Sequence, residues 1–120
     1  MTEPSPLILT AQKGVTVVGF REPNLLDAYH VNDTATYLYR LIEQDDCRRL
    51  VVDLSAVRML SSQSLGVFLN MRQKLDKIQG KMALSGIDPS LSRVFKITRL
   101  QDVFKFFGDV TEAVEYLVSQ

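Results

Sequence analysis

Four consecutive polar residues, Ser61-Ser62-Gln63-Ser64, hold the chemistry this chain has to offer. Before them runs a short apolar stretch rich in β-branched residues, Leu50-Val51-Val52-Asp53-Leu54, which is too short for a helix and reads as a buried strand. After them Leu65, Phe68, Leu69, Leu75 and Ile78 recur at three- and four-residue spacing, with Arg72 on the same stripe and Asn70, Gln73, Lys74 and Lys77 facing elsewhere. Hydroxyls placed at the mouth of a helix meet unpaired backbone N–H groups and the positive end of the helix dipole, a combination that favours an anion. The ordinary alternative is N-capping, in which a serine oxygen satisfies one of those orphan donors. Spacing alone favours capping.

Other chemistry finds little support. Nucleophilic catalysis needs a base and an orienting group, and the single histidine is His30, early in a different helical pattern. There is no Gly-x-Ser-x-Gly elbow, no Gly-x-Gly-x-x-Gly and no phosphate-cradling loop. The carboxylates Asp27, Asp45, Asp46, Asp88 and Asp109 fall at turns, where capping also places them. One cysteine, Cys47, excludes an internal disulfide and reads as a small residue at a turn. No catalytic activity, metal or cofactor is therefore expected. Fourteen basic and fourteen acidic side chains cancel, and no basic stripe marks the chain for direct nucleic-acid binding. No apolar run approaches membrane-spanning length, and the first residues lack a basic signal-peptide region, so a cytoplasmic location is expected.

The elements that must position the serines follow from periodicity. At 120 residues the chain makes one domain, expected over residues 7–120, behind a loose tail at 1–6 that carries Pro4 and Pro6. Leu7–Ala11 and Val15–Phe20 read as a hairpin turned at Lys13-Gly14. A loop containing Pro23 and Asn24, the latter tolerant of positive φ, leads to a helix over 28–44 with Asp27 as N-cap and Val31, Ala35, Leu38, Leu41 and Ile42 inward. The strand at 48–54 follows, then the serine turn and its helix, which Gly80 ends. Met82–Ser85 is a further strand. Gly86-Ile87-Asp88-Pro89 turns into a helix over 90–98 that packs Leu91, Val94, Phe95 and Ile97. Residues 102–107, DVFKFF, read as a last strand whose phenylalanines pack in the core and at the edge, and a helix from Val110 or Thr111 to Val118 closes the chain. The order β-β-α-β-α-β-α-β-α implies an α/β domain with a mixed, mostly parallel sheet, an N-terminal antiparallel hairpin and four helices.

The stretch VDLSAV, four residues, a serine-rich turn and then LGVFL resembles the centre of the STAS domains of bacterial anti-sigma-factor antagonists. In that family the turn runs Asp-Ser-Ser/Thr-Gly before Leu-Gly. Laid on it, Ser61 stands at the Asp, Ser62 at the phosphoacceptor, Gln63 at the next hydroxyl residue and Ser64 at the Gly, while Leu65-Gly66 match directly. The resemblance extends over roughly residues 8–118. It implies a cytoplasmic phosphoprotein in transcription regulation, a monomer or weak dimer. Such a protein binds an anti-sigma factor that is also a serine kinase of the histidine-kinase-like ATPase class, and phosphorylation of Ser62, with Ser61 and Ser64 as lesser candidates, switches it off. Asp27 matches the family's Leu-Asp ahead of the first helix and implies a partner contact beside Ser61, Ser62, Gln63 and Ser64. Gly86, Asp88 and Pro89 could rim the same face, since loops at the carboxyl ends of parallel strands cluster. The alternative is a non-phosphorylated STAS scaffold or docking subunit in a multi-protein sensor or a lipid-transport complex. A nucleotide- or small-molecule-binding STAS domain is a third reading with no cradling loop behind it.

Overall fold

Backbone pairing in the computed structural model, which describes residues 5–45 and 47–120, follows the apolar runs of the sequence. Nine elements appear in the order β1 (Leu7–Gln12), β2 (Val15–Phe20), α1 (Val31–Glu43), β3 (Arg49–Asp53), α2 (Ser62–Lys77), β4 (Lys81–Ser85), α3 (Pro89–Ile97), β5 (Phe106–Phe107) and α4 (Val110–Val118). The strands form one sheet in the order β1-β2-β3-β4-β5. Strands β1 and β2 pair antiparallel with Gln12 opposite Val15, and every later neighbour is parallel. Lys13 and Gly14 both take positive φ, 53° and 81°, as a two-residue hairpin turn of the mirror-image type requires.

Alternation along the strands divides the core into two layers. Leu50 and Val52 of β3, with Val18, Met82 and Leu84, face a large cluster covered by α1, α2 and α3. Val51, with Val15, Val17 and Ala83, faces the other way, onto Ala113, Val114 and Leu117 of α4. In the larger layer Phe68 and Phe95 stack with ring centroids 6.4 Å apart, and Phe104 meets both edge-on. On the rim Lys74, on the side of α2 away from its apolar stripe, pairs with Glu43 and ties α2 to α1.

Several expectations need correction. Helix α1 starts at Val31 and not at residue 28, because 28–30 form turns; its N-cap is His30, without a side-chain cap bond. Asn24 serves its turn through its carbonyl, which accepts from the Asp27 N–H, and the left-handed non-glycine residues among those described are Lys13, Gln79 and Arg99. Gln79, φ 60°, makes the left-handed turn after α2. Gly80 is needed instead for closeness, since a Cβ there would lie 2.8 Å from the Arg48 carbonyl oxygen and 2.8 Å from Leu75. Cys47, between α1 and β3, is buried, its thiol directed at the Arg49 carbonyl; Asp46 lies outside the described residues. Ile97 is 74% exposed rather than packed. Of the strand expected over 102–107 only Phe106 and Phe107 pair, because the chain turns at 101–103 and sends Phe104 into the core. Residues 1–4 of the expected tail are outside the described residues, whereas Ser5 and Pro6 are bonded to Arg21 through their carbonyls.

Candidate functional site

The serine turn is the first turn of a helix and not the loop before it. Ser61 is the N-cap of α2, in extended conformation, and Ser62, Gln63 and Ser64 are the first three helical residues. Ser61 and Ser64 cap each other: the Ser64 N–H donates to Ser61 Oγ at 3.2 Å, and the Ser61 N–H donates to Ser64 Oγ at 2.9 Å. The Ser64 hydroxyl donates in turn to the Ser61 carbonyl at 2.6 Å. This is a capping box with serine in the place usually held by Glu or Gln. Ser64 is fully buried, and Ser61 donates its hydroxyl to the Leu26 carbonyl at 3.4 Å.

Ser62 and Gln63 are exposed, and no described residue hydrogen-bonds the Ser62 hydroxyl. The first turn itself carries no acidic residue to offset the N–H groups and dipole at this end of α2. The geometry therefore separates three serines that spacing alone does not distinguish: Ser61 and Ser64 are bonded to each other and Ser62 is exposed.

Asp27 is brought to the same place by the bond from Ser61 to its neighbour Leu26. It does not cap α1. Its carboxylate accepts the Tyr29 and His30 N–H groups, each at 3.0 Å, and lies 2.8 Å from His30 Nδ1. Burial pushes Asp27 up, but the bonds from His30 and its charge win and leave it lower than its ordinary value. His30 is raised, first by that hydrogen bond and then by the attraction of the carboxylate, against a smaller effect of burial. Asp88 is the N-cap of α3 with Pro89 at its first turn; it accepts the Ser90 hydroxyl at 2.7 Å and the Ser90 N–H at 2.8 Å. These bonds, opposed by burial and helped by the positive charge of Arg58, lower its pKa. Gly86 turns the chain with φ +67°, and a Cβ there would press on Asp53 Oδ1 and on Ser55, each at 3.1 Å.

Arg58 is a residue the sequence reading did not single out. It knits the loops: its N–H donates to the Pro23 carbonyl at 3.1 Å, its guanidinium donates to the Ser55 carbonyl at 3.1 Å, and its charge reaches Asp88. The loops after β2, β3 and β4 thus form one face around Ser62. A cavity of about 520 Å³ lies at the opposite end of the strands, against Gly14, Arg48, Arg49 and Lys81, and the serines do not line it. No described helix is long and apolar enough to cross a membrane. Among the described residues no group of three or more His, Cys, Asp or Glu could hold a metal ion.

A family model, described as STAS domain, matches residues 7–113. The chain belongs to the STAS domain family. Within that family it falls with the anti-sigma-factor antagonists. It is 30% identical to an anti-sigma-B factor antagonist of Staphylococcus aureus over 78 residues, 65% of this chain and 71% of that one. It is 36% identical to an anti-sigma-B factor antagonist of Listeria monocytogenes over 56 residues, 47% of this chain, so that the chain spans about half of that relative's length, 49%. An anti-sigma-factor antagonist domain protein from Planctomyces limnophilus has the same fold, with a TM-score of 0.81 at 19% identity, covering 95% of this chain and 98% of that one.

Proposed function

We propose that this STAS domain is an anti-sigma-factor antagonist that acts by binding, in the cytoplasm and without catalysis of its own. Its unmodified face engages an anti-sigma factor that is also a serine kinase of the histidine-kinase-like ATPase class, releasing the sigma factor. Phosphorylation of Ser62 ends the interaction. The observation that carries this reading is the exposed Ser62 hydroxyl beside two serines whose hydroxyls are held in their own capping box. A phosphate on Ser62 adds nearly two negative charges at the contact surface, which weakens a partner's grip. The domain itself accommodates the charge, because the N-terminus of α2 stabilises it. Asp27, Gln63, Gly86, Asp88 and Pro89 complete the contact face.

Intact-mass spectrometry after incubation with ATP and the partner kinase tests the proposal, with wild type and Ser62→Ala side by side. One phosphate on wild type and none on Ser62→Ala is the expected result. A phosphate that survives the substitution moves the acceptor to Ser61 or Ser64 and refutes the assignment. Binding without any phosphate transfers the lead to the scaffold reading, in which the same turn is a permanent docking surface.

A further inference from the structure

One edge of the sheet is protected and the other is not. Strand β5 is two residues long, with the exposed Lys105 just before it, and so short an edge offers little to pair with. Strand β1 runs for six residues and has β2 as its only neighbour among the described strands. Its sequence, LILTAQ, carries no charge and no proline. Its register with β2 is unbroken from Leu7 to Gln12, so no bulge turns it away. Charge, proline and bulges are the devices that keep natural edge strands apart, and β1 has none of them. We propose that two copies of this chain pair antiparallel along Ile8–Gln12, about a two-fold axis at Thr10, so that one sheet runs through both.

The backbone sets this register. In an antiparallel ladder alternate residues turn N–H and C=O toward the neighbour, and the rest turn them away. The Pro6 carbonyl accepts the Arg21 N–H at 3.0 Å, which puts the even-numbered residues of β1 on the β2 side. The Leu7 N–H accordingly leaves the ladder and donates to Ser5 Oγ at 3.1 Å. Leu9 and Ala11 therefore direct their N–H and C=O groups out from the edge, where no described residue takes them. Leu7 is only 3% exposed, whereas every residue from Ile8 to Gln12 is exposed, Ile8 at 44% and Leu9 at 49%. The open segment is thus centred on Thr10. A two-fold axis there sets Leu9 of each copy opposite Ala11 of the other. Each Leu9 N–H donates to the other copy's Ala11 carbonyl, and each Ala11 N–H to its Leu9 carbonyl, so the outward groups satisfy one another completely.

The side chains agree with a second copy as the occupant. Thr10 falls opposite Thr10, a favourable cross-strand pair, and Ile8 opposite Gln12. No charge lies within the segment, and Lys13, which follows it, is paired with Glu115 of its own copy. On one face α4 packs over β2 to β5, and Ile8, Thr10 and Gln12 line a trough of about 340 Å³ beside it with Val17, Gly19 and Val110. Pairing joins the two troughs across the axis. The contact is isologous and uses up the open edge of both copies, which leaves only the two-residue β5 at either end, so assembly stops at two. A five-residue contact on each copy is small for an interface, and the dimer is a weak one.

Equilibrium sedimentation of the whole chain tests this between roughly 10 µM and 1 mM, the range in which a weak dimer forms. The average mass is expected to rise toward twice that of one chain. Thr10→Lys sets like charges directly opposite each other, and Leu9→Pro removes an N–H that points away from β2 and so spares the hairpin. Each is expected to raise the dissociation constant about tenfold or more, with circular dichroism confirming that the variants are folded. Thr10→Cys brings two Cα atoms about 4.5 Å apart, within disulfide reach, whereas Gln12→Cys leaves them more than about 13 Å apart. Under oxidised glutathione Thr10→Cys is expected to cross-link about tenfold faster than Gln12→Cys, the buried Cys47 being common to both. A chain that keeps the mass of a monomer throughout overturns the proposal. So does a dimer that neither Thr10→Lys nor Leu9→Pro weakens, or one that cross-links no faster through Thr10→Cys than through Gln12→Cys. The segment holds none of the residues assigned to the contact face around Ser62, so these outcomes leave that assignment untouched.

Discussion

Removing the Ser64 hydroxyl separates the two roles of the serine turn. Ser64→Ala deletes the acceptor for the Ser61 N–H and the donor to the Ser61 carbonyl, and leaves that N–H unpaired in a half-buried position. The remaining bond, from the Ser64 N–H to Ser61 Oγ, survives because it uses only backbone at residue 64. Loss of one half of a capping box, with a donor stranded, costs about 1–2 kcal/mol. An unfolding entropy of about 2.1 cal/mol/K per residue, over the whole chain, converts this to a fall in Tm of roughly 4–8 °C. Ser62→Ala removes an exposed hydroxyl with no described partner, so its cost should stay within about 0.5 kcal/mol, roughly 2 °C. Thermal unfolding followed by circular dichroism at fixed pH reads both. The same two proteins, offered to the kinase, should divide the other way: Ser64→Ala still takes the phosphate and Ser62→Ala does not. A Ser62→Ala variant that melts as early as Ser64→Ala would refute the reasoning, because the presented serine would then be part of the lock.

Two further outcomes follow from the geometry. The chain has a single histidine, so its imidazole signal in a proton NMR titration belongs to His30. Its midpoint should lie above the ordinary 6.5 and fall back toward it in Asp27→Asn. The sign for stability follows. The raised His30 supports the fold fully below 6.5 and loses that support as pH rises through its folded-state value. The lowered Asp27 supports the fold above its ordinary 3.8 and loses this as pH falls through its folded-state value. The pair therefore contributes most between those limits, and a wild-type midpoint at or below 6.5 would contradict it. Gly80→Ala should destabilise the domain by about 1–3 kcal/mol in urea unfolding, because its Cβ meets backbone at Arg48 as well as the Leu75 side chain; an unchanged midpoint would show that β3 and the end of α2 can move apart there.

The sheet and the helix pairs were legible because apolar period and chain order alone decide them: β-branched runs alternating with three- and four-residue stripes leave few other ways to bury both. What escaped were decisions made by single side chains. An aspartate before a helix caps whichever N–H groups the backbone offers, and Asp27 chose a turn ahead of α1, so the helix began three residues late. DVFKFF has strand composition throughout, but Phe104 leaves the line of the strand to pack edge-on against both Phe68 and Phe95 in the core. At the site, the turn was visible and its internal order was not. The Ser-x-x-Ser spacing of residues 61 and 64 is the trace of the capping box, and reading it as one would have given a physical reason, beside the family resemblance, to rank Ser62 ahead of the other two. The exposure of Ile8 and Leu9 left no trace, since apolar residues in a strand are as readily buried as displayed.

The arrangement of the sheet also bears on how the protein comes to be made. Strand order in space is strand order along the chain. Each strand pairs with the one synthesised just before it, so the sheet can grow by addition at one edge as the polypeptide leaves the ribosome, without waiting for a distant segment to be threaded into a gap. The strand that launches the serine helix finds its neighbour already paired in the hairpin. The last helix, which covers the opposite face of β2, β3 and β4, arrives only after all five strands have been made. Until that moment the nascent chain carries an open apolar flank over Val15, Val17 and Val51, and the final nine-residue helix is what turns a partly built sheet into a protein that its neighbours in the cell leave alone.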